Sequence, residues 1–599
     1  MTFTTRPTLQ GTFGMVSSTH WIASSAAMGI LERGGNAFDA AVCAGFVLHV
    51  VEPHLNGPGG DLPAIVSDAS GAGAQVLCGQ GPAPAAATAA HFEEAGMSVV
   101  PGSGPLAAAV PGAFDAWMLL LRDRGTMSVA QVLAPAEHYA RHGYPVLPAV
   151  HRTISAVTQL FADHWPTSAA VWLDEDGQAP AAGSIHHNPA YADTLARLIA
   201  HGSETGMTRE QQVDATRRAW SHGFVADAID AFARVPHRHS SGEVLPGVIT
   251  AADCAAYRAS WEPPVLLSWQ GHQIAKTGPW GQGPAMLQVL QMLDAGATET
   301  GAQASVDTAD GVHALVERWK LAMADREAWF GDSLPVPLEE LLDPAYAKSR
   351  SALVEDEASD RVRPGSPADR EPRMAALASR LAGDAGDSGD GSVGEPTVRP
   401  GGETTGDTCH VDVVDQWGNM VAATPSGGWL QSSPVIPELG FPLGSRLQMM
   451  WLEQGLASSL LPGRRPRTTL TPTLVLRDGV PVLACGSPGG DQQDQWQSVF
   501  LIRHLVQGAS LQEAIDAPMF HTTSFPGSFD PRVVEPGVLV AEDRLGEPVL
   551  RELERRGHRV QRAGDWALSR MCVVARDPDT GMLSAGANPR GMQGYAVGR

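Results

Sequence analysis

GDTCHVDVVDQWGNMV, residues 406–421, is the stretch on which the reading of this chain turns. Gly, Asp, Ser and Pro crowd the residues before it. From Thr408 onward the text becomes a threonine, a cysteine, a histidine and then alternating apolar residues. Alternation of this kind is the pattern of a β-strand with two different faces. DQWGN, 415–419, reads as the turn of a hairpin whose second strand is MVAAT, with Gly418-Asn419 supplying a permissive backbone. Taken alone, the stretch needs no chemistry: Thr408 is a strand residue, Cys409 a small core side chain and His410 a polar neighbour.

Working outward, residues 382–406 (AGDAGDSGDGSVGEPTVRPGGETTG) contain almost no large apolar side chain. Such a segment cannot bury a core and reads as a flexible tether. After it, TPTLVLRDG and PVLACG continue the strand-like pattern, and helices are expected at 496–507 and 510–517. Before it, 14–20 reads as a strand. WIASSAAMGILER (21–33) has helical spacing and stops at Gly34-Gly35. Asn36, with Asp39 three residues on, caps a second helix that is apolar nearly all round and so is expected to be buried. Further helices are expected at 129–143, 283–294 and 310–330. The chain therefore divides into a mixed helix-and-strand body, a tether, and a strand-rich part from residue 408 to residue 599.

The bulk numbers narrow the function. The chain has 599 residues, 43% hydrophobic and 18% charged, ordinary for a globular protein with room for more than one core. Its formal charge of −23 disfavours nucleic acid and anionic membrane as partners. No segment is a membrane span, and no basic-then-apolar leader opens the sequence, so a cytoplasmic location is expected. The six cysteines form no CxxC pair and suggest neither a disulfide framework nor a zinc site. His186-His187 and His237-Arg238-His239 lack matching ligands at useful spacing and read as loop residues. No metal or cofactor is expected; phosphate-loop, dinucleotide and GxSxG motifs are missing.

Six other segments change the reading of Thr408. They are GGNAFDAAVCAGFVLHVVEPHLNGPGGD (34–61), SHGFVADAIDAF (221–232), GVITAADCAAYRASWEPPV (247–265), RRPRTTLTPTLVLRDG (464–479), GSPGGDQQ (486–493) and LQEAIDAPMFH (511–521). In order and over nearly the whole chain they resemble the gamma-glutamyltransferase family. GDTCHVDVVDQWGNMVAAT lies where that family carries its catalytic threonine. The resemblance implies an α+β fold, the four-layer αββα sandwich of the N-terminal nucleophile hydrolases. It implies a precursor that cuts itself between Asp407 and Thr408 into a large chain, 1–407, and a small chain, 408–599. Thr408 then supplies both a nucleophilic hydroxyl and, as its freed α-amine, the base. Two such heterodimers pairing is a further expectation.

The same resemblance assigns the supporting residues. Gly489 and Gly490 match the family's paired oxyanion glycines, where backbone must approach substrate closely. Thr468 and Thr469 stand where two substrate-contacting serines are usual, and Ser426 where a threonine assists the nucleophile. Thr424 is placed near the substrate on the facing strand. Asp491, Gln492 and Gln493 orient the loop or the substrate, with helix capping by Asp491 or Asp494 as the alternative. His410 is expected to be a structural hydrogen bonder.

Three positions depart from the pattern. Gln80 occupies the place of the carboxylate-binding arginine, and no Arg or Lys occurs from Gly34 through Leu121. Met449 stands where an acid grips the α-ammonium, and Gly428 where an asparagine is usual. Loss of both charged grips disfavours a γ-glutamyl donor, because each substrate charge would be buried unpaired. The expected activity is thus an amidohydrolase or acyltransferase acting on a small non-glutamyl amide, with Arg446 as a new cation for a carboxylate and Trp429, Met449, Met450 and Trp451 as apolar wall. The alternatives are a genuine γ-glutamyltransferase or glutathione hydrolase, and an uncut binding protein without activity.

Overall fold

A computed structural model describes residues 3–69, 71, 73–203, 206–296, 305–378 and 408–599. The tether 382–407, Asp407 included, lies outside the described residues.

The alternation at 411–415 decides which layers form. Val411 and Val413 point into one hydrophobic core and Val414 into another. Val411–Asp415 pairs antiparallel with Met420–Ala423 on one side and with Gly14–Ser18 on the other. In both neighbours successive residues again go to opposite cores: Met15 with Val414, Val16 with Val413; Met420 and Ala422 with the first, Val421 with the second. A strand buried on both faces is what this even burial requires. Leu62–Ser67, Ala74–Gly79 and Ser260–Glu262 extend the sheet in one direction and Tyr595–Gly598 ends it in the other, giving seven strands.

A second seven-stranded sheet is built from Leu9–Gly11, Leu583–Ala587, Cys572–Arg576, Val480–Gly486, Thr473–Arg477, His272–Lys276 and Val265–Trp269, in that order. Every pairing in both sheets is antiparallel. The sheets face each other across Met15, Ile65, Val414, Met420, Ala422, Leu474, Leu476, Ala484 and Val574. Helices Trp21–Glu32, Ala37–Val51, Ala113–Arg124 and Val129–His142 cover the first sheet. Gly283–Ala295, Ala309–Trp329 and Gln493–Leu501 cover the second. The result is the four-layer αββα sandwich expected from the sequence.

Local predictions are met closely. Asn36 and Asp39 form a reciprocal capping box at the start of Ala37–Val51, all of whose residues are buried. The hairpin turn is organised by Asp415, whose Oδ1 accepts the backbone N–H groups of Trp417, Gly418 and Asn419 at 3.0 Å each. Gly418 takes φ +96°, a left-handed conformation that suits glycine. Strands from before and after the tether share both sheets: Val411–Asp415 lies beside Gly14–Ser18, and in the second sheet the four strands after residue 408 form one block flanked by Leu9–Gly11 and His272–Lys276.

Candidate active site

Thr408 stands just ahead of the central strand Val411–Asp415, 1% exposed. The next residue is anchored by its backbone, Cys409 N–H donating to Pro425 O at 3.0 Å. Pairing of the two hairpin strands therefore carries Ser426 opposite Thr408, with their hydroxyl oxygens 3.5 Å apart. On another side stands the Gln493 carboxamide, 3.2 Å from Thr408 Oγ1. Two backbone carbonyls, Ser487 O and Thr469 O, flank the far atom of that carboxamide at 3.3 Å each, and carbonyls demand a donor. Its nitrogen accordingly faces them and its oxygen accepts from the Thr408 hydroxyl.

The two neighbours of Thr408 are occupied differently. Cys409 Sγ lies 3.0 Å from Glu52 Oε2 and accepts from Asn56 Nδ2 at 3.0 Å. Burial, with the Glu52 charge beside it, pushes this thiol well above its ordinary pKa, so it is no thiolate nucleophile. His410 is held at both ring nitrogens, by Thr424 Oγ1 at 2.9 Å and Asp412 Oδ1 at 2.8 Å. Its ring packs on Gly486 so closely that a Cβ there would come within 2.2 Å. Burial raises the Asp412 carboxyl to about 6, with His410 opposing the shift. These bonds make His410 a structural hydrogen bonder and turn the Thr424 hydroxyl toward it.

Gly489 and Gly490 follow the strand Val480–Gly486 and precede the helix Gln493–Leu501. Both have positive φ, +126° and +55°, and a Cβ on Gly489 would stand 2.2 Å from the Trp496 ring. The loop is clamped one residue later. Asp491 accepts from Ser528 N at 2.9 Å and Ser528 Oγ at 2.6 Å, and it pairs with the buried guanidinium of Arg326. Asp494 pairs with Lys276 at 2.8 Å, both fully buried. Neither acid caps the helix, which begins at Gln492 without a side-chain cap. Thr468 is held at its backbone N–H by Trp280 O at 2.9 Å, whereas the buried hydroxyl of Thr469 has no partner.

The departures gather on the other side of Ser426. Asp61 and Ser426 exchange backbone hydrogen bonds of 2.8 and 3.0 Å. Asp61 then binds Arg446 through both carboxylate oxygens at 2.8 Å, with both side chains about 5% exposed. The remaining Arg446 nitrogen, Nη1, meets only Met449 Sδ at 3.7 Å. Met449 packs with Trp429 and Phe529 as a small apolar cluster. Gln80, 1% exposed, has no well-formed hydrogen bond at its carboxamide among the described residues, but its side chain lies against the Asp61 carboxyl and helps to lower its pKa against the effect of burial. Sequence reasoning found Gln80, Met449 and Arg446. It missed Asp61, 385 residues from Arg446, and it had no signal for the contact of Gln493 with Thr408.

His186 and the 237–239 histidines join no ligand cluster; His186 stacks on Trp172 and His239 bonds Leu245 O. Among the described residues, His313, Glu317 and His558 do bring three ligand atoms within 4.8 Å of one another. Glu317 there is already paired with Lys320 at 2.6 Å and Arg363 at 3.4 Å, which leaves little negative charge for a cation.

Two antiparallel sheets between helical layers, with a threonine at the head of a central strand, define the N-terminal nucleophile hydrolase class. The model of the gamma-glutamyltranspeptidase family matches residues 23–598, and the chain belongs to that family, whose members are hydrolases and acyltransferases of amides. The chain is 30% identical to the glutathione hydrolase-like YwrD proenzyme of Bacillus subtilis, over 98% of this chain and 99% of that one. It is also 30% identical to the oxamate amidohydrolase proenzyme of Klebsiella pneumoniae, with 98% of each covered. A solved structure of LmbA2991 shares 55% identity, covers 100% of both chains and superposes with a TM-score of 0.95. Among the described residues no helix is long and apolar enough to cross a membrane.

Proposed function

We propose that this protein is a self-processing amidohydrolase or acyltransferase that uses Thr408 as nucleophile on an amide whose acyl group is not γ-glutamyl. A cut between Asp407 and Thr408 would free the Thr408 amine. That amine takes the hydroxyl proton while Oγ1 attacks the amide carbonyl. The N–H groups of Gly489 and Gly490 receive the developing oxyanion, and the protonated amine leaves from a threonyl ester. Water or a second amine then releases the acyl group. Ser426 assists at Oγ1, and Thr468 and the unpartnered Thr469 hydroxyl contact substrate.

The observation that carries the substrate reading is the Asp61–Arg446 pair. Arg446 already spends two nitrogens on a carboxylate, Arg532 is turned onto the Gln448 and Met450 carbonyls and the Trp451 ring, and the position suited to an ammonium grip is an apolar corner of Met449, Trp429 and Phe529. A zwitterionic glutamyl head would meet neither of the charges it needs. What stays open to a ligand is sparse: the Thr469 hydroxyl, Arg532 Nη1, Arg446 Nη1 beyond its contact with the Met449 thioether, and the Gln80 amide beside Asp61. A compact acyl group with at most one anionic end fits this set, and the oxamate amidohydrolase relative is consistent with it.

The chains 1–407 and 408–599 would remain together after the cut, because strands of both are hydrogen-bonded side by side in each sheet. We further take the enzyme to be cytoplasmic and its heterodimers to pair, which cell fractionation and size-exclusion chromatography would check. The central test is a denaturing gel with a substrate panel. Wild type should convert from 63.0 kDa to two fragments, and Thr408→Ala should stay whole and inactive. Processed enzyme should hydrolyse small N-acyl and oxamate-like amides well ahead of a γ-glutamyl anilide. A lasting full-length wild type would sink the nucleophile; efficient glutamyl release would sink the substrate reading.

A further inference from the structure

We infer that Gln493 is a catalytic residue that holds the Thr408 oxygen in its attacking position; this rests on the reading of Thr408 as nucleophile. Gln493 is fully buried and its carboxamide has no rotational freedom left. The nitrogen is bound by two carbonyls, and each belongs to a working part of the site. Ser487 leads into the glycines at 489 and 490, and Thr469 is one of the two threonines placed against substrate. The oxygen, aimed by those two bonds, takes the hydroxyl of Thr408 at 3.2 Å. One side chain thus fixes the distance between nucleophile, oxyanion loop and substrate-contacting segment.

The chemistry of a carboxamide defines the task. It accepts a hydrogen bond but is not a base at ordinary pH, so it does not take the proton. The Ser426 hydroxyl, at 3.5 Å, is the longer contact. Gln493 is the shorter and fixed one, and it is present before any cut has freed an amine. It therefore serves twice: it fixes Oγ1 for the self-cut in the precursor, and for attack on the substrate afterwards. A threonine left to rotate would sample positions from which attack is out of line, and small misplacements of a nucleophile are costly.

Two substitutions and a control test this. Gln493→Met keeps bulk and removes both polar atoms. It should fold with a cooperative melt, cut itself at least about 10-fold more slowly, and lose about 10²-fold in kcat with KM within about 3-fold of wild type. Gln493→Glu supplies a reading that mere packing would not give. The introduced carboxyl is buried against two carbonyl oxygens, which raises its pKa. Protonated, it donates to one carbonyl and still accepts from Thr408; ionised, it is repelled by both. Its turnover should thus fall with rising pH over a range where wild type is flat. Gln493→Met with wild-type processing and kcat, or a Gln493→Glu pH profile that overlays wild type, would overturn the role. Thr408→Ala separates the two claims. If that variant still cuts itself, the nucleophile is wrong; if it stays whole while Gln493→Met behaves as wild type, only the role of Gln493 falls.

Discussion

The two ends of the site, one on each side of Ser426, are built on opposite principles. Around Thr408 most polar groups are held by specific partners: Gln493 by the hydroxyl and two carbonyls, His410 by Thr424 and Asp412, Asp491 by Ser528 and Arg326. Around Gln80 and Met449 they are not. The Gln80 carboxamide has no well-formed hydrogen bond among the described residues and only the Asp61 carboxyl beside it, Arg446 Nη1 meets a thioether, and Asp61 and Arg446 neutralise each other. Satisfied networks hold geometry, and unsatisfied buried polar atoms cost stability until something binds them. The first end is organised to react in one way. The second has its polar capacity held in reserve for a ligand.

The largest effect should come from unbalancing the self-cancelling pair. Arg446→Met leaves the Asp61 carboxylate buried without its partner, and removing one member of such a pair costs about 3–5 kcal/mol. Asp61→Asn combined with Arg446→Met should recover most of that loss in urea melts, since neither charge is then stranded. A double variant as unstable as Arg446→Met would mean that the pair is not a closed unit and that Arg446 answers to some other group.

The matched end makes a prediction in pH. The Asp412 carboxyl is raised to about 6 from an ordinary 3.8. Between those values the folded protein holds a proton that the unfolded chain has released, so stability falls as pH rises from about 4 to about 6 and then levels. A two-unit shift is worth about 3 kcal/mol. Asp412→Asn keeps a polar partner for His410 and removes the titration. The difference in stability between wild type and variant should change across that interval in melts run at stepped pH. A constant difference from pH 4 to 6.5 would show that Asp412 does not titrate there.

How far the sequence reached follows the same division. The capping box at Asn36 and the hairpin at Asp415 are local patterns, and each appears where it was expected. The apolar alternation at 411–423 fixed which faces are buried. It did not reveal which strands lie side by side, because an alternating strand carries no record of its neighbour. Arg446 was visible as a cation beside the pocket, but its meaning depends on Asp61, which only the folded chain brings alongside. Gln493 was one of three polar residues after the glycines. Its role depends on the carbonyls of Ser487 and Thr469 facing its nitrogen, a matter of backbone direction that residue types do not encode.

The smallest effect is the most pointed for the unmatched end. Gln80 is buried with no well-formed hydrogen bond among the described residues and only the Asp61 carboxyl beside it, so Gln80→Met removes a desolvation penalty while keeping the volume. In the free enzyme that should stabilise the protein by about 1–2 kcal/mol. If the amide is kept for substrate, the same change should raise KM several-fold with kcat nearly unchanged, because the lost bond serves binding in both ground and transition states. A stabilised variant with unchanged KM would make Gln80 an idle core residue. A destabilised one would mean that its amide already has a partner in the folded protein. Stabilisation together with weaker binding is the combination that marks a polar group held for a ligand rather than for the fold.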